Sequence, residues 1–131
     1  MEITFAYTIL YVENVPKTID FYSNVFGLEK KFLTPELDYG ELKSGATTLA
    51  FANFDLGQSN FKLGYTKSNL TDKPFGFELA FTTDQVEELV KKAVDHGGVK
   101  IAETMKKPWG QTVGYIRDIN GFIIEICTPI P

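Results

Sequence analysis

The chain has 131 residues, 44% hydrophobic and 23% charged, with a formal net charge of −4 and a pI near 5.0. Such values describe one ordinary globular protein that buries roughly two thirds of the surface its unfolded chain exposes. They argue against a basic face for nucleic acid or an anionic membrane, and no apolar run approaches the ~18 residues of a membrane span.

Cys127 is the single cysteine, so no internal disulfide can form, which fits a reducing compartment. The opening stretch MEITFAYTILYV has no basic leader and no small-residue cleavage site, and the expected location is the cytoplasm.

In chain order, Ile3 to Val12 alternates and is rich in aromatic and β-branched residues, which predicts a strand. Tyr7, Ile9 and Tyr11 share one face; Thr8, Leu10 and Val12 share the other. Asn14 is suited to cap a helix and Pro16 to its first turn. Val15, Ile19, Tyr22 and Phe26 recur at helical spacing, and Gly27 stops the helix. Strands are expected at Leu28 to Leu33, Tyr39 to Lys43 and Thr47 to Phe54. From Asp55 to Pro74 the periodicity fails in a Gly-, Ser-, Asn- and Lys-rich run, read as a linker.

The second half repeats the first. Adding 71 to a residue number carries Leu10 to Phe81, Val15 to Val86, Ile19 to Val90 and Gly27 to Gly98. The same order of elements follows: a strand over Phe75 to Thr83, a helix over Gln85 to Asp95, a strand over Val99 to Met105, then two strands around a turn. That last turn is Asp118-Ile119-Asn120-Gly121, with Asn-Gly expected to supply positive φ. The closing run Phe122 to Cys127 is apolar except at Glu125. A carboxylate there points either into a cavity or simply into water. The domain layout is therefore a first βαβββ module at 1–54, a linker at 55–74 and a second module at 75–131.

One helix can cover one face of each sheet. On the other face lie Tyr7, Ile9 and Tyr11 in the first module, and Glu78, Ala80, Thr82, Ile123, Glu125 and Cys127 in the second. Two carboxylates and a phenol on a mixed surface are the usual make-up of a small-molecule site. His96, the only histidine, sits where a helix ends, a place where it meets the last carbonyls rather than a ligand.

Tyr7-x-x-Leu10-Tyr11-Val12-x-Asn14, Ile19-Asp20-Phe21-Tyr22 and Phe26-Gly27-Leu28, with Pro108-Trp109-Gly110 and Asp118 through Glu125, resemble the glyoxalase, bleomycin-resistance protein and extradiol dioxygenase superfamily, also called vicinal oxygen chelate. The resemblance implies an α+β fold of two tandem βαβββ modules with cup-shaped mixed sheets, and a homodimer, in some members with modules exchanged between chains. It also implies a divalent metal held by His and Glu from four strand positions. Carried over singly, these are Tyr7, a position near Leu49, Glu78 and Glu125, a poor set for zinc, nickel or iron. No metal and no other cofactor is therefore expected. Pro108-Trp109-Gly110 is similar to the bleomycin-resistance branch, in which the cup sequesters a ligand.

The expected function is small-molecule binding, with Tyr7, Tyr11, Glu78, Trp109 and Glu125 contacting a ligand that is cationic or aromatic. Trp109 has a packing role as an equal alternative, and for Phe51 and Phe54 packing is the better reading. The alternative function is a glyoxalase- or dioxygenase-like enzyme, with a non-standard metal site or with Glu78 and Glu125 as metal-free acid and base. No catalytic residue is assigned.

Overall fold

The computed structural model describes residues 1–131. The chain divides into two compact units, Met1–Lys67 and Ser68–Pro131. The first contains β1 (Thr8–Val12), α1 (Val15–Phe26), β2 (Glu29–Leu33), β3 (Tyr39–Ser44), β4 (Thr47–Asn53) and the short α2 (Phe54–Gln58). The second contains β5 (Glu78–Thr82), α3 (Val86–Asp95), β6 (Val99–Lys106), β7 (Thr112–Arg117) and β8 (Ile123–Cys127). The sheets have the same strand order, β1-β4-β3-β2 and β5-β8-β7-β6. In each, the first strand runs parallel to the last and the remaining neighbours are antiparallel. The repeat read from the sequence is thus a repeat of topology.

Local chemistry explains the helices. The Asn14 side chain accepts from Lys17 N at 2.9 Å, Pro16 lies in the first turn, and Gly27 ends α1 at φ 69°. Val15, Ile19, Tyr22 and Val25 are buried against Leu42, Leu49 and Phe51 of the sheet side. In α3 the buried positions are Val86, Val90 and Ala93. Two glycines at matching places permit the close approach of helix to sheet. A Cβ on Gly40 would lie 2.5 Å from Ile19 Cδ1, and one on Gly114 would lie 3.0 Å from Val90 Cγ2.

The structure departs from the sequence reading at several ends. The first strand starts at Thr8, not Ile3. Thr8 pairs with Leu49 and β4 begins at Thr47, so Ile3 and Phe5 lie beyond any partner and are each 85% exposed. Likewise β5 starts at Glu78, opposite the first residue of β8, rather than at Phe75. The run 55–74, read as a linker, opens inside α2, whose cap is the Asn53 side chain accepting from Leu56 N at 2.8 Å.

In the β7–β8 turn only Gly121 has positive φ, at 94°; Asn120 does not, contrary to the Asn-Gly expectation. The reason is Asp118. Its fully buried side chain accepts from Asn120 N and Phe122 N, both at 2.9 Å, and Gly121 N donates to Asp118 O at 3.0 Å. Asp118→Ala is expected to cost about 1–3 kcal/mol by leaving these amides without their acceptor. Asp118→Asn, which keeps one oxygen, should cost less. Urea unfolding measures both, and equal stability of the alanine variant and wild type would contradict this role.

Candidate functional site

The second unit's open face is where titratable side chains converge. In the parallel pair β5·β8, Ala80 is opposite Glu125 and Glu78 is opposite Ile123. The two glutamates are therefore diagonal neighbours on one face. Ile124 and Ile126, alternating with Glu125, are fully buried on the other face. Glu125 is half-buried and Glu78 exposed, so the carboxyl reaches a partly shielded surface rather than a sealed interior.

The two carboxyls lie close enough to shift each other's titration. Tyr115, opposite Glu125 in β7·β8, donates its hydroxyl to Glu125 Oε1 at 2.8 Å. The Cys127 thiol donates to the Phe81 carbonyl at 3.8 Å. Gln111 donates to Thr128 O at 2.8 Å and accepts from the Trp109 indole N–H at 2.9 Å.

These contacts push the two acids in opposite directions. Burial, then the hydrogen bond to Glu125 and its charge, raise Glu78 above the ordinary carboxyl value. Burial also acts to raise Glu125, but hydrogen bonds from Tyr115, Cys127 and Glu78, with the positive charge of Lys107, outweigh it and leave Glu125 lowered. Of the two, Glu78 is therefore the one that takes up a proton first as pH falls. Tyr115 is pushed up to about 12 by its bond to Glu125 and by burial, so its hydroxyl remains a donor. Burial and the neighbouring Glu125 push Cys127 up to about 11, which makes the thiol a poor nucleophile.

The expected site residues thus fall into separate groups. Glu78 and Glu125 come together, and Trp109 is bonded to Gln111, which in turn is bonded to Thr128 just past the end of β8. Tyr7 and Tyr11 belong to the first unit. Tyr11 lies half-buried over Gly57, with its ring 4.7 Å from Tyr65 and 6.3 Å from Phe61. On that unit's open face Tyr39 donates to Glu41 at 2.7 Å, and Lys31 sits 3.4 Å from the same carboxylate. Tyr115, Gln111 and Glu41 were not singled out from sequence. Tyr115 was legible in principle, since alternation along β7 places it on the Glu125 face, but strand register was needed to put it opposite.

Register also corrects one position. Ile9 pairs with Ala50 as Ala80 pairs with Glu125, so the first-unit counterpart of Glu125 is Ala50, not Leu49. Neither side chain can ligate. His96 is occupied at the end of α3, its ring Nδ1 2.8 Å from Lys92 O. No group of three or more His, Cys, Asp or Glu side chains is assembled for a metal ion. Two carboxyls and a thiol do not supply the imidazole of the family's transition-metal centre.

Known proteins agree on the architecture. The sequence pattern of the glyoxalase-like domain matches residues 5–131. A lactoylglutathione lyase of Neisseria meningitidis serogroup A is 30% identical over 125 residues, 91% of this chain and 86% of that protein. A glyoxalase-related enzyme from Fulvimarina pelagi superposes with a TM-score of 0.81 at 22% identity, covering 97% of this chain and 88% of that one. A glyoxalase/bleomycin resistance protein/dioxygenase family enzyme from Burkholderia phytofirmans gives 0.79 at 19% identity, covering 96% and 98%.

The two carboxyls have opposite linkage to folding. The raised Glu78 contributes stability that is full below the ordinary value of 4.5 and lost as pH climbs through its folded value. The lowered Glu125 contributes stability that is present above 4.5 and lost as pH falls through its folded value. Glu78→Gln, a permanent donor to Glu125, should therefore match wild type near pH 4 and gain on it as pH rises to 8. Because Glu78 is exposed, water screens the effect and the gain should be small. Melting temperatures across this range check it; a difference that does not change with pH would refute the upward shift of Glu78.

Proposed function

Because the chain belongs to the glyoxalase-like domain family, we propose that it binds a small molecule on the open face of the second unit without the family's transition metal. The observation that carries this reading is the neighbouring carboxyls Glu78 and Glu125, the latter bonded to Tyr115, while the chain's one histidine is occupied at the end of α3. The lowered Glu125 carboxylate carries negative charge, which suits a ligand with a cationic or hydrogen-bond-donating group. Trp109, 58% exposed with its indole N–H already bonded to Gln111, offers a flat face beside it.

Thermal-shift titration with benzamidine, a flat cation, against neutral benzamide, Zn²⁺ and Ni²⁺ tests the reading. Benzamidine is expected to raise the melting temperature of wild type, and to do so less in Glu125→Gln and in Trp109→Ala. A ligand at one hundred times its Kd stabilises by about 2.7 kcal/mol, which sets the scale of a saturating shift. Stoichiometric metal in the purified protein, lost in Glu125→Gln, would overturn the metal-free reading. Wild-type response in Trp109→Ala would remove Trp109 from the site.

A second reading, metal-free acid–base catalysis, draws on the opposite displacement of the two carboxyls, with Glu78 as acid and Glu125 as base. The 30% identity to a lactoylglutathione lyase makes lactoylglutathione the first compound to assay. Its formation or consumption by wild type and not by Glu125→Gln would favour catalysis over sequestration.

The open faces also leave Tyr7, Ile9, Phe32 and Met105 exposed. We propose a second copy of the chain as their cover, in the cytoplasm. Light scattering should then give twice the 14.7 kDa chain mass; a single chain mass at micromolar concentration would exclude the homodimer.

A further inference from the structure

The connection between the two units is fastened at both ends, and the fastening on the second unit centres on Arg117. This residue lies at the end of β7 and is 8% exposed. Its guanidinium donates to three main-chain carbonyls: Gly121 at 2.8 Å, Asn69 at 2.8 Å and Leu70 at 3.4 Å. The first belongs to the β7–β8 turn, the others to the incoming chain. Ser68, itself buried, adds a hydroxyl bond to Asn120 O at 2.8 Å. Contact is tight from the turn side as well, since a Cβ on Gly121 would overlap the Asn69 carbonyl.

The segment so held is folded on itself. Asn69 Oδ1 accepts from Thr71 N and Asp72 N, both at 2.9 Å, and Asn69 Nδ2 donates to Asp72 at 2.8 Å. On the first unit, the Tyr65 hydroxyl donates to Phe54 O at 2.8 Å and its ring packs 4.7 Å from Tyr11. Lys67 Nζ lies 5.0 Å over the Phe54 ring, but its main chain and that of Thr66 have no such tie.

We infer that Arg117 is a clamp that makes residues 68–72 part of the second unit, so that any movement of one unit against the other is taken up at Thr66 and Lys67. A guanidinium suits this task. Its donors fan out in a plane and reach carbonyls from two chain segments at once, which a lysine ammonium on a flexible stem does not reproduce. Ser68 and Gly121 complete the seat, one by a hydroxyl bond and the other by having no side chain.

Hydrogen exchange on the full chain tests this, with Arg117→Gln, Arg117→Lys and the milder Ser68→Ala compared with wild type. In wild type the Thr71 and Asp72 amides should exchange slowly and those of Thr66 and Lys67 fast. In Arg117→Gln, exchange at Thr71 and Asp72 should rise by about tenfold or more, as expected when a local opening loses its hydrogen bonds. The β7 and β8 amides should keep their wild-type rates. Arg117→Lys should fall between the two, and Ser68→Ala should show a smaller rise confined to the same residues. Unchanged exchange at Thr71 and Asp72 in all three variants would overturn the clamp. Loss of protection throughout β5 to β8 in both Arg117→Gln and Ser68→Ala would make these residues general core supports instead. Slow exchange of Thr66 and Lys67 in wild type would remove the pivot.

Discussion

Each four-stranded sheet has one long helix lying against it, and a helix of this length covers only one sheet face. That constraint sorts the side chains of both units. Leu10, Val12, Leu49 and Phe51 in the first unit, and Ile124 and Ile126 in the second, turn toward the helix and are buried. Their alternating neighbours turn the other way and need not be apolar. Glu125 is tolerated in an otherwise apolar strand for this reason: it lies on the uncovered face, where Tyr115 can reach it. Gly40 and Gly114 serve the same constraint, since each lets its helix settle close to the sheet.

Chemistry on the uncovered face follows from cross-strand neighbours. Two glutamates at diagonal positions would repel if both were ionised. The tyrosine and thiol around Glu125 favour its ionised form, which leaves Glu78 the more readily protonated of the two. The first unit meets a related problem differently. There the acid is Glu41 on the third strand, balanced by Lys31 and by a phenol from Tyr39. Duplicated topology therefore supports one face with its carboxylate paired to a cation and another with two carboxyls at diagonal positions. The family fold is common to many chemistries, and these side chains, rather than the fold, carry the functional argument.

Much of the architecture was legible before any coordinates. Helix signals are local: Asn14, Pro16 and Gly27 act within a few residues of where they stand, and α1 lies where they place it. The 71-residue offset likewise appears as identical strand order in both sheets. The β7–β8 turn was placed correctly but its geometry was not, because the buried Asp118 side chain, not the Asn-Gly pair, determines which residue adopts positive φ. Strand ends were also misjudged. Ile3 and Phe5 have strand-forming side chains, but a strand extends only as far as its partner, and β4 begins at Thr47.

By itself, the sequence determined periodicity, caps, the repeat, and the fact that Glu78 and Glu125 share the face opposite the helix, because these depend on neighbours a few residues away. It also determined the supply of donors: one histidine and one cysteine in the whole chain. Tertiary structure alone decided that Glu125 pairs with Tyr115 and Glu78, that its first-unit counterpart is Ala50, and that the chain after Lys67 is tied to Arg117. Each of these joins residues from different strands or segments. Register between strands depends on hydrogen bonds and packing across the sheet, which no local pattern along one strand specifies.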